Sequence, residues 1–251
     1  MGLSMATAAH WVERWECQQQ RYAVDREERF TVIADVVEHV TAGHRDPLVV
    51  DLGCGPGSLA ARLAGRLPDA EIVAVDADPL LLELGRTHYS HAARYVDAVI
   101  GAPGWLDALG LDRPLDAAVS TTALHYLDEP TLRRVYGQLA AALRPGGVVI
   151  NGDHLRPDGV QVREIAADVG RRRAERQRAF AHEDWADWWT AAGTDPELAD
   201  LLAERGERPP VHAQDNDVTS SAHIALLHEA GFEHAGSVWQ FGNSHVLVAV
   251  R

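Results

Sequence analysis

Leu48-Val49-Val50-Asp51-Leu52-Gly53-Cys54-Gly55-Pro56-Gly57-Ser58 is the stretch that decides the fold. A short β-branched run closes on an acid, Asp51. Glycines follow at 53, 55 and 57, and a helical pattern opens at Ser58. Strand, glycine turn, helix is how an open parallel sheet presents a nucleotide to a helix N-terminus. Glycine suits such a turn because it tolerates positive φ and has no Cβ to block a ligand. The acid ahead of the glycines suits an amino-acid ammonium or a hydroxyl better than a pyrophosphate.

Outward from this stretch the chain alternates strands and helices, which predicts an α/β, doubly wound sheet. Residues 71–76 read as a second strand ending in Asp76. An acid at that tip can accept hydrogen bonds from both ribose hydroxyls; a helix cap or a surface acid is the plainer reading. Asp78-Pro79 opens the next helix, with Asp at the cap and Pro at the first helical position. Residues 94–100 and 115–120 read as the third and fourth strands. An amphipathic helix over 129–143 is stopped by Arg144-Pro145-Gly146-Gly147. Val148 begins a fifth strand, with Asn151-Gly152-Asp153-His154 at its tip. A helix over 220–230 and two strands, 232–241 and 244–250, close the chain around Gly242-Asn243.

Asp51-Leu52-Gly53-Cys54-Gly55-Pro56-Gly57 resembles the first motif of the class I S-adenosylmethionine-dependent methyltransferases. Leu143-Arg144-Pro145-Gly146-Gly147 before a β-branched strand is a second marker of that family. The resemblance covers roughly Val49 to Asp153 and the C-terminal tail. It implies a seven-stranded, mostly parallel Rossmann-like sheet with a terminal antiparallel hairpin and a helical cap. It also implies methylation of a small molecule on O, N or C, with S-adenosylmethionine as cofactor and S-adenosylhomocysteine as product. The implied cofactor contacts are Asp51, Gly53, Cys54, Gly55 and Gly57 around the amino-acid part, Asp76 with Ala77 at the ribose, and Ser120 and Thr121 near the methionine part. After the third strand the family often carries an acid that holds the adenine amino group. Here Val99-Ile100-Gly101-Ala102-Pro103-Gly104 has none; Asp97 lies too early and Asp107 too late, so the backbone of Gly101 and Ala102 is expected to flank the base.

His125 follows the fourth strand, whose tip should face the methyl donor, and is the candidate catalytic base or substrate ligand. A structural role at a helix start is the alternative. Asp153 and His154 point to the same cleft by the same strand-tip logic. Residues from about Ala6 to Val40 read as helix, with a break near Tyr22–Asp25. Similar segments close over the cofactor in many small-molecule methyltransferases, which makes Tyr22 and Arg26 candidate contacts; packing on the sheet is the alternative. From Leu155 to about Thr219 the βα pattern stops. Residues 161–181 are helical, with an Arg-rich patch that reads as a solvated face. Trp185, Trp188 and Trp189 share one face of the next helix. They form either a core or an aromatic wall for a planar or cationic substrate, with Trp185 and Trp189 as substrate contacts. His212, Asp215 and Asp217 lack tight ligand spacing, so no metal is expected. The expected division is 1–45, a helical lid; 46–154, the cofactor-binding core; 155–219, a substrate cap; and 220–251, which completes the core.

The 251 residues suit one α/β domain with an insertion, and a net charge of −14 argues against nucleic acid as a partner. Two cysteines give no disulfide framework, so the default setting is reducing and cytoplasmic. No apolar run reads as a signal core or a membrane span. The expected partner is a small molecule, for a monomer or homodimer. A nicotinamide-dependent oxidoreductase is the rival, because Gly55-x-Gly57-x-x-Ala60 fits the looser dinucleotide pattern. Asp51 ahead of the glycines, the Arg-Pro-Gly-Gly turn and the terminal hairpin weigh against it. A non-catalytic S-adenosylmethionine-binding protein is the second rival.

Overall fold

A computed structural model describes residues 2–208 and 215–251. The strands are β1 (Leu48–Leu52), β2 (Glu71–Asp76), β3 (Arg94–Asp97), β4 (Leu115–Thr121), β5 (Leu143–His154), β6 (His234–Phe241) and β7 (Ser244–Val250). The helices are α1 (Met5–Tyr22), α2 (Arg26–Thr41), α3 (Ser58–Arg66), α4 (Pro79–His88), α5 (Trp105–Ala108), α6 (Glu129–Ala142), α7 (Val160–Arg176), α8 (Trp185–Ala192), α9 (Ala199–Glu207) and α10 (Ser220–Glu229). The described strands form one sheet in the order β3-β2-β1-β4-β5-β7-β6. It is parallel from β3 to β5 and antiparallel at β7 and β6. This is the expected doubly wound sheet, closed by the expected hairpin.

Side chains on β1 alternate between two cores, as they must in a sheet covered on both faces. Leu48, Val50 and Leu52 pack with Trp105, Tyr136 and Phe232 on one face. Val49 packs with Phe30, Ile33 and Leu63 on the other. A third core lies beyond the sheet: Trp11 and Trp15 of α1, Leu80, Leu81 and Leu84 of α4, and Trp188 of α8. The Trp188 ring meets those of Trp11 and Trp15 edge-on, with centroids 5.4 and 5.3 Å apart. The N-terminal helix and the 155–219 insertion therefore share one hydrophobic core.

Several elements differ from the reading of the sequence. β3 ends at Asp97 rather than running to residue 100, and the chain turns away through Gly101 at φ +84°. The Arg144-Pro145-Gly146-Gly147 stop lies inside the span of β5: Leu143 already pairs with Leu115, and the register then shifts before Ala117 pairs with Val148. The helix expected over 161–181 breaks after Arg176, where Arg178 takes a left-handed φ of 55°. Near the start of β4, the Asp116 carboxylate accepts from Arg144 Nε at 2.6 Å and the Leu48 amide at 2.9 Å. That buried anchor ties the Arg of the turn to the sheet, a role the sequence did not suggest.

At the start of α3, Gly57 has φ +85°, and a Cβ there would fall 2.3 Å from the Tyr95 hydroxyl. Gly57→Ala should cost about 1–3 kcal/mol in chemical denaturation, from backbone strain and overpacking together. Gly65→Ala, with nothing within 4 Å of the added carbon, should be neutral or gain up to about 1 kcal/mol.

Candidate active site

One cleft of about 530 Å³ opens at the C-terminal ends of β1, β2, β4 and β5, where an open parallel sheet places its ligands. Its first half is built on Asp76. The carboxylate accepts the Gly55 amide at 2.7 Å on one oxygen, and the Ala77 and Asp78 amides at 2.7 and 2.9 Å on the other. The Gly53 and Cys54 amides donate to the Val75 carbonyl at 2.8 and 3.0 Å. The glycine turn thus hangs from the tip of β2. Gly53 is required, because a Cβ there would lie 2.3 Å from that of Ala123. Beneath the turn, Asp51 is fully buried, and neither oxygen closes a hydrogen bond of normal geometry. Burial pushes it up to about 7, the nearby Ala60 amide opposes this, and the Asp76 charge adds to it. A buried carboxyl of this kind suits a cationic group above the turn.

The roof comes from the N-terminal helices. Trp15, Gln19 and Tyr22 of α1 and Arg26 of α2 all face the cleft. The Arg26 guanidinium pairs with Glu16. Burial pushes Glu16 up, and the Arg26 charge with Arg62 more than offsets it. The Tyr22 hydroxyl accepts from the Trp185 amide at 2.9 Å, which pins the end of α1 to the start of α8.

The second half is built on the tips of β4 and β5. Thr122, just past β4, takes φ 50°, which is strained for a β-branched residue. Its amide donates to the Gly152 carbonyl at 3.0 Å, and the buried Arg29 guanidinium donates to that same oxygen at 3.0 Å. This junction delivers His125, on a one-turn helix spanning Leu124–Tyr126, to Asp153. His125 Nδ1 lies 3.0 Å from both carboxylate oxygens. Burial opposes the charge of Asp153, but the His125 ring opposite it holds the carboxyl down at about 2. Burial alone would lower His125; Asp153, with help from Asp215, raises it instead. His154 is driven down to about 4 by burial and by Arg29. His223, driven down to about 4 by burial, meets the Tyr136 hydroxyl through Nδ1 at 2.8 Å.

Of the expected cofactor residues, Tyr22, Arg26, Gly53, Cys54, Gly55, Asp76 and Thr121 line the cleft. Asp51 and Ser120 lie a layer below it, both fully buried, with Ser120 Oγ donating to the Leu52 carbonyl at 2.9 Å. Gly57 sits behind the wall against Tyr95, and Gly101 packs toward Thr131 and Val135 of α6. Ala77 and Ala102 are also off the wall; the Ala77 carbonyl accepts from Arg208 at 2.9 Å. Of the expected substrate residues, His125, Asp153, His154 and Trp185 line the cleft, and Trp189 stands behind Trp185 with Arg205 over its ring at 3.9 Å. His212 lies outside the described residues. Asp215 is on the wall, and Asp217 pairs with Arg156. Trp15, Gln19, Arg156, Asn216 and His223 line the cleft without having been singled out. Trp15 and Gln19 stand a helical turn or two before Tyr22, so helical spacing alone could have found them. Nothing local marks the other three.

Four comparisons bear on the site. Residues 49–147 match the family described as a methyltransferase domain. A carboxy-S-adenosyl-L-methionine synthase from Chromohalobacter salexigens is 30% identical over 209 residues, 81% of this chain and 68% of the relative. A trans-aconitate 2-methyltransferase from Methylobacterium radiotolerans is 38% identical over 104 residues; the match spans 41% of this chain but only 36% of that relative's length. Magnesium protoporphyrin IX methyltransferase from Synechocystis PCC 6803, solved with bound S-adenosylhomocysteine, superposes with a TM-score of 0.55 over 96% of this chain and 94% of its own, at 15% identity, which shows the fold alone.

His223 gives a stability test with a definite sign. Its folded pKa, about 4, lies below the ordinary 6.5, so the unfolded chain binds the extra proton between those values. Its contribution to stability is present above about pH 6.5 and is lost as pH falls toward 4. Denaturant midpoints should fall across that window, and His223→Asn should flatten the fall by an amount on the order of a few kcal/mol.

Proposed function

The chain belongs to the class I S-adenosylmethionine-dependent methyltransferases, and we propose that it methylates a small molecule whose nucleophilic atom carries a proton, with His125 as the base. The observation that carries the reading is the contact of His125 Nδ1 with both oxygens of Asp153, at 3.0 Å each. A carboxylate there accepts a hydrogen bond from Nδ1–H and so keeps the proton on Nδ1, and the neutral ring presents the Nε2 lone pair to the cleft. Asp153 stays ionised over the working range and stabilises the ring once it has accepted a proton.

The residues present fit the cofactor. Gly53, Gly55 and Asp76 line the cleft where the amino-acid and ribose parts would lie, and the buried Asp51 beneath the turn favours a cationic amino group. The N-terminus of α3, at Ser58 on the cleft wall, suits an amino-acid carboxylate. When bound, S-adenosylmethionine supplies an electrophilic methyl group on a sulfonium. The protein's part is then to align, to exclude water and to move one proton. Residues 1–45 and 155–219 act as one lid over the 46–154 core, which 220–251 completes. The tryptophan core shared by α1 and α8, and the bond from the Trp185 amide to Tyr22, support this division.

His125→Ala should lower the methyl-transfer rate about 10²–10⁴-fold while leaving S-adenosylhomocysteine affinity nearly intact. Asp153→Asn should lower the rate and move the acid limb of kcat/KM to lower pH, because the charge that raises His125 is gone. A His125→Ala protein with an unchanged rate per folded molecule would refute the base.

A further inference from the structure

We propose that the substrate arrives as a cation, a protonated amine held between the Asp215 carboxylate and the aromatic rings of Tyr22, Tyr126 and Trp185, and that it gives its proton to His125. This rests on the base assignment above and adds the chemical class of the substrate.

Two carboxylates flank the His125 ring. Asp153 holds Nδ1, and on the other side Asp215 Oδ1 stands 3.9 Å from Nε2, the atom that faces the cleft. Asp215 is on the cleft wall, and its side chain is 64% exposed, open to a ligand. The same cleft wall carries aromatic rings, Tyr22, Tyr126 and Trp185 among them, and the Asp215 charge reaches the Tyr126 hydroxyl. Aromatic faces attract cations, and more strongly as water is excluded. The described cationic side chains on the wall are already committed. Arg26 pairs with Glu16, and Arg156 pairs with Asp217. His154 and His223 are held neutral near pH 7. A carboxylate substrate would meet two acids and no spare cation, and as a nucleophile it would have no proton for the His125–Asp153 pair to remove. An ammonium uses every feature: it is attracted by Asp215, stabilised by the rings, and unable to attack until it is deprotonated. The net charge of −14 favours its approach at long range.

The step balances with the groups named. His125 Nε2 takes one proton from the ammonium. The nitrogen lone pair so freed forms the new bond to the methyl carbon. The carbon–sulfur bond breaks with its electron pair retained on sulfur, and the imidazolium later returns its proton to solvent.

The test is calorimetry on the full chain saturated with S-adenosylhomocysteine, using three probes of one shape: phenethylamine, phenethyl alcohol and phenylacetate. The amine should bind tightest. Asp215→Asn should weaken the amine about tenfold, equal to about 1.4 kcal/mol, and leave the alcohol unchanged, because the amide keeps hydrogen-bonding capacity and loses only the charge. An amine that binds no tighter than the other two, or whose affinity Asp215→Asn does not move, would overturn the proposal. So would phenylacetate binding that Arg156→Gln abolishes. These affinities involve no proton transfer, so their failure leaves the base assignment standing, and the His125→Ala rate judges that separately.

Discussion

The Asp76 carboxylate is the interaction on which the rest of the site depends. Three backbone amides converge on it, from Gly55, Ala77 and Asp78. It is 8% exposed. Without it, three amides at a buried turn would lose their acceptor, at about 1–3 kcal/mol for each one left unsatisfied. Together with the Val75 carbonyl it fixes the path of the chain from β1 into α3. It therefore fixes where Gly53 meets Ala123 and where Gly55 meets Trp15 of the roof. The acid that shapes the glycine turn also lines the cleft, where it is the group proposed for the ribose.

A second junction does the same for the substrate half. The Gly152 carbonyl receives the Thr122 amide and the buried Arg29 guanidinium. That bond helps hold Thr122 in a conformation costing of the order of 1–3 kcal/mol. The strained turn in turn aims the one-turn helix so that His125 faces Asp153. A carbon added at Gly152 would fall 2.9 Å from Arg29 Cδ and from Ile33 Cδ1, which explains the glycine next to Asp153.

What could be read from the sequence was whatever repeats locally or ends a strand. β1, α3 and β2 follow from short apolar runs and glycine spacing, and the strand-tip rule placed Asp76, His125, Asp153 and His154 in one cleft. Hidden were contacts between distant segments. Trp11 and Trp15 meet Trp188 across more than half the chain, so the residues that join the N-terminal helix to the insertion had no local signal. Trp185 and Trp189 looked equivalent on a helical wheel, yet only Trp185 reaches the cleft. Arg29 lies on a helix among many other charges, with nothing local to mark it as buried. Asp215 lies in an irregular segment with no periodicity to place it.

The affinity of S-adenosylhomocysteine for Asp76→Ala, measured by titration calorimetry on protein shown to remain folded, is the most direct test of the site. Loss of a hydrogen bond between a charged group and the ligand predicts weakening by about 1–3 kcal/mol. A folded Asp76→Ala protein that binds as tightly as the unaltered chain would contradict it.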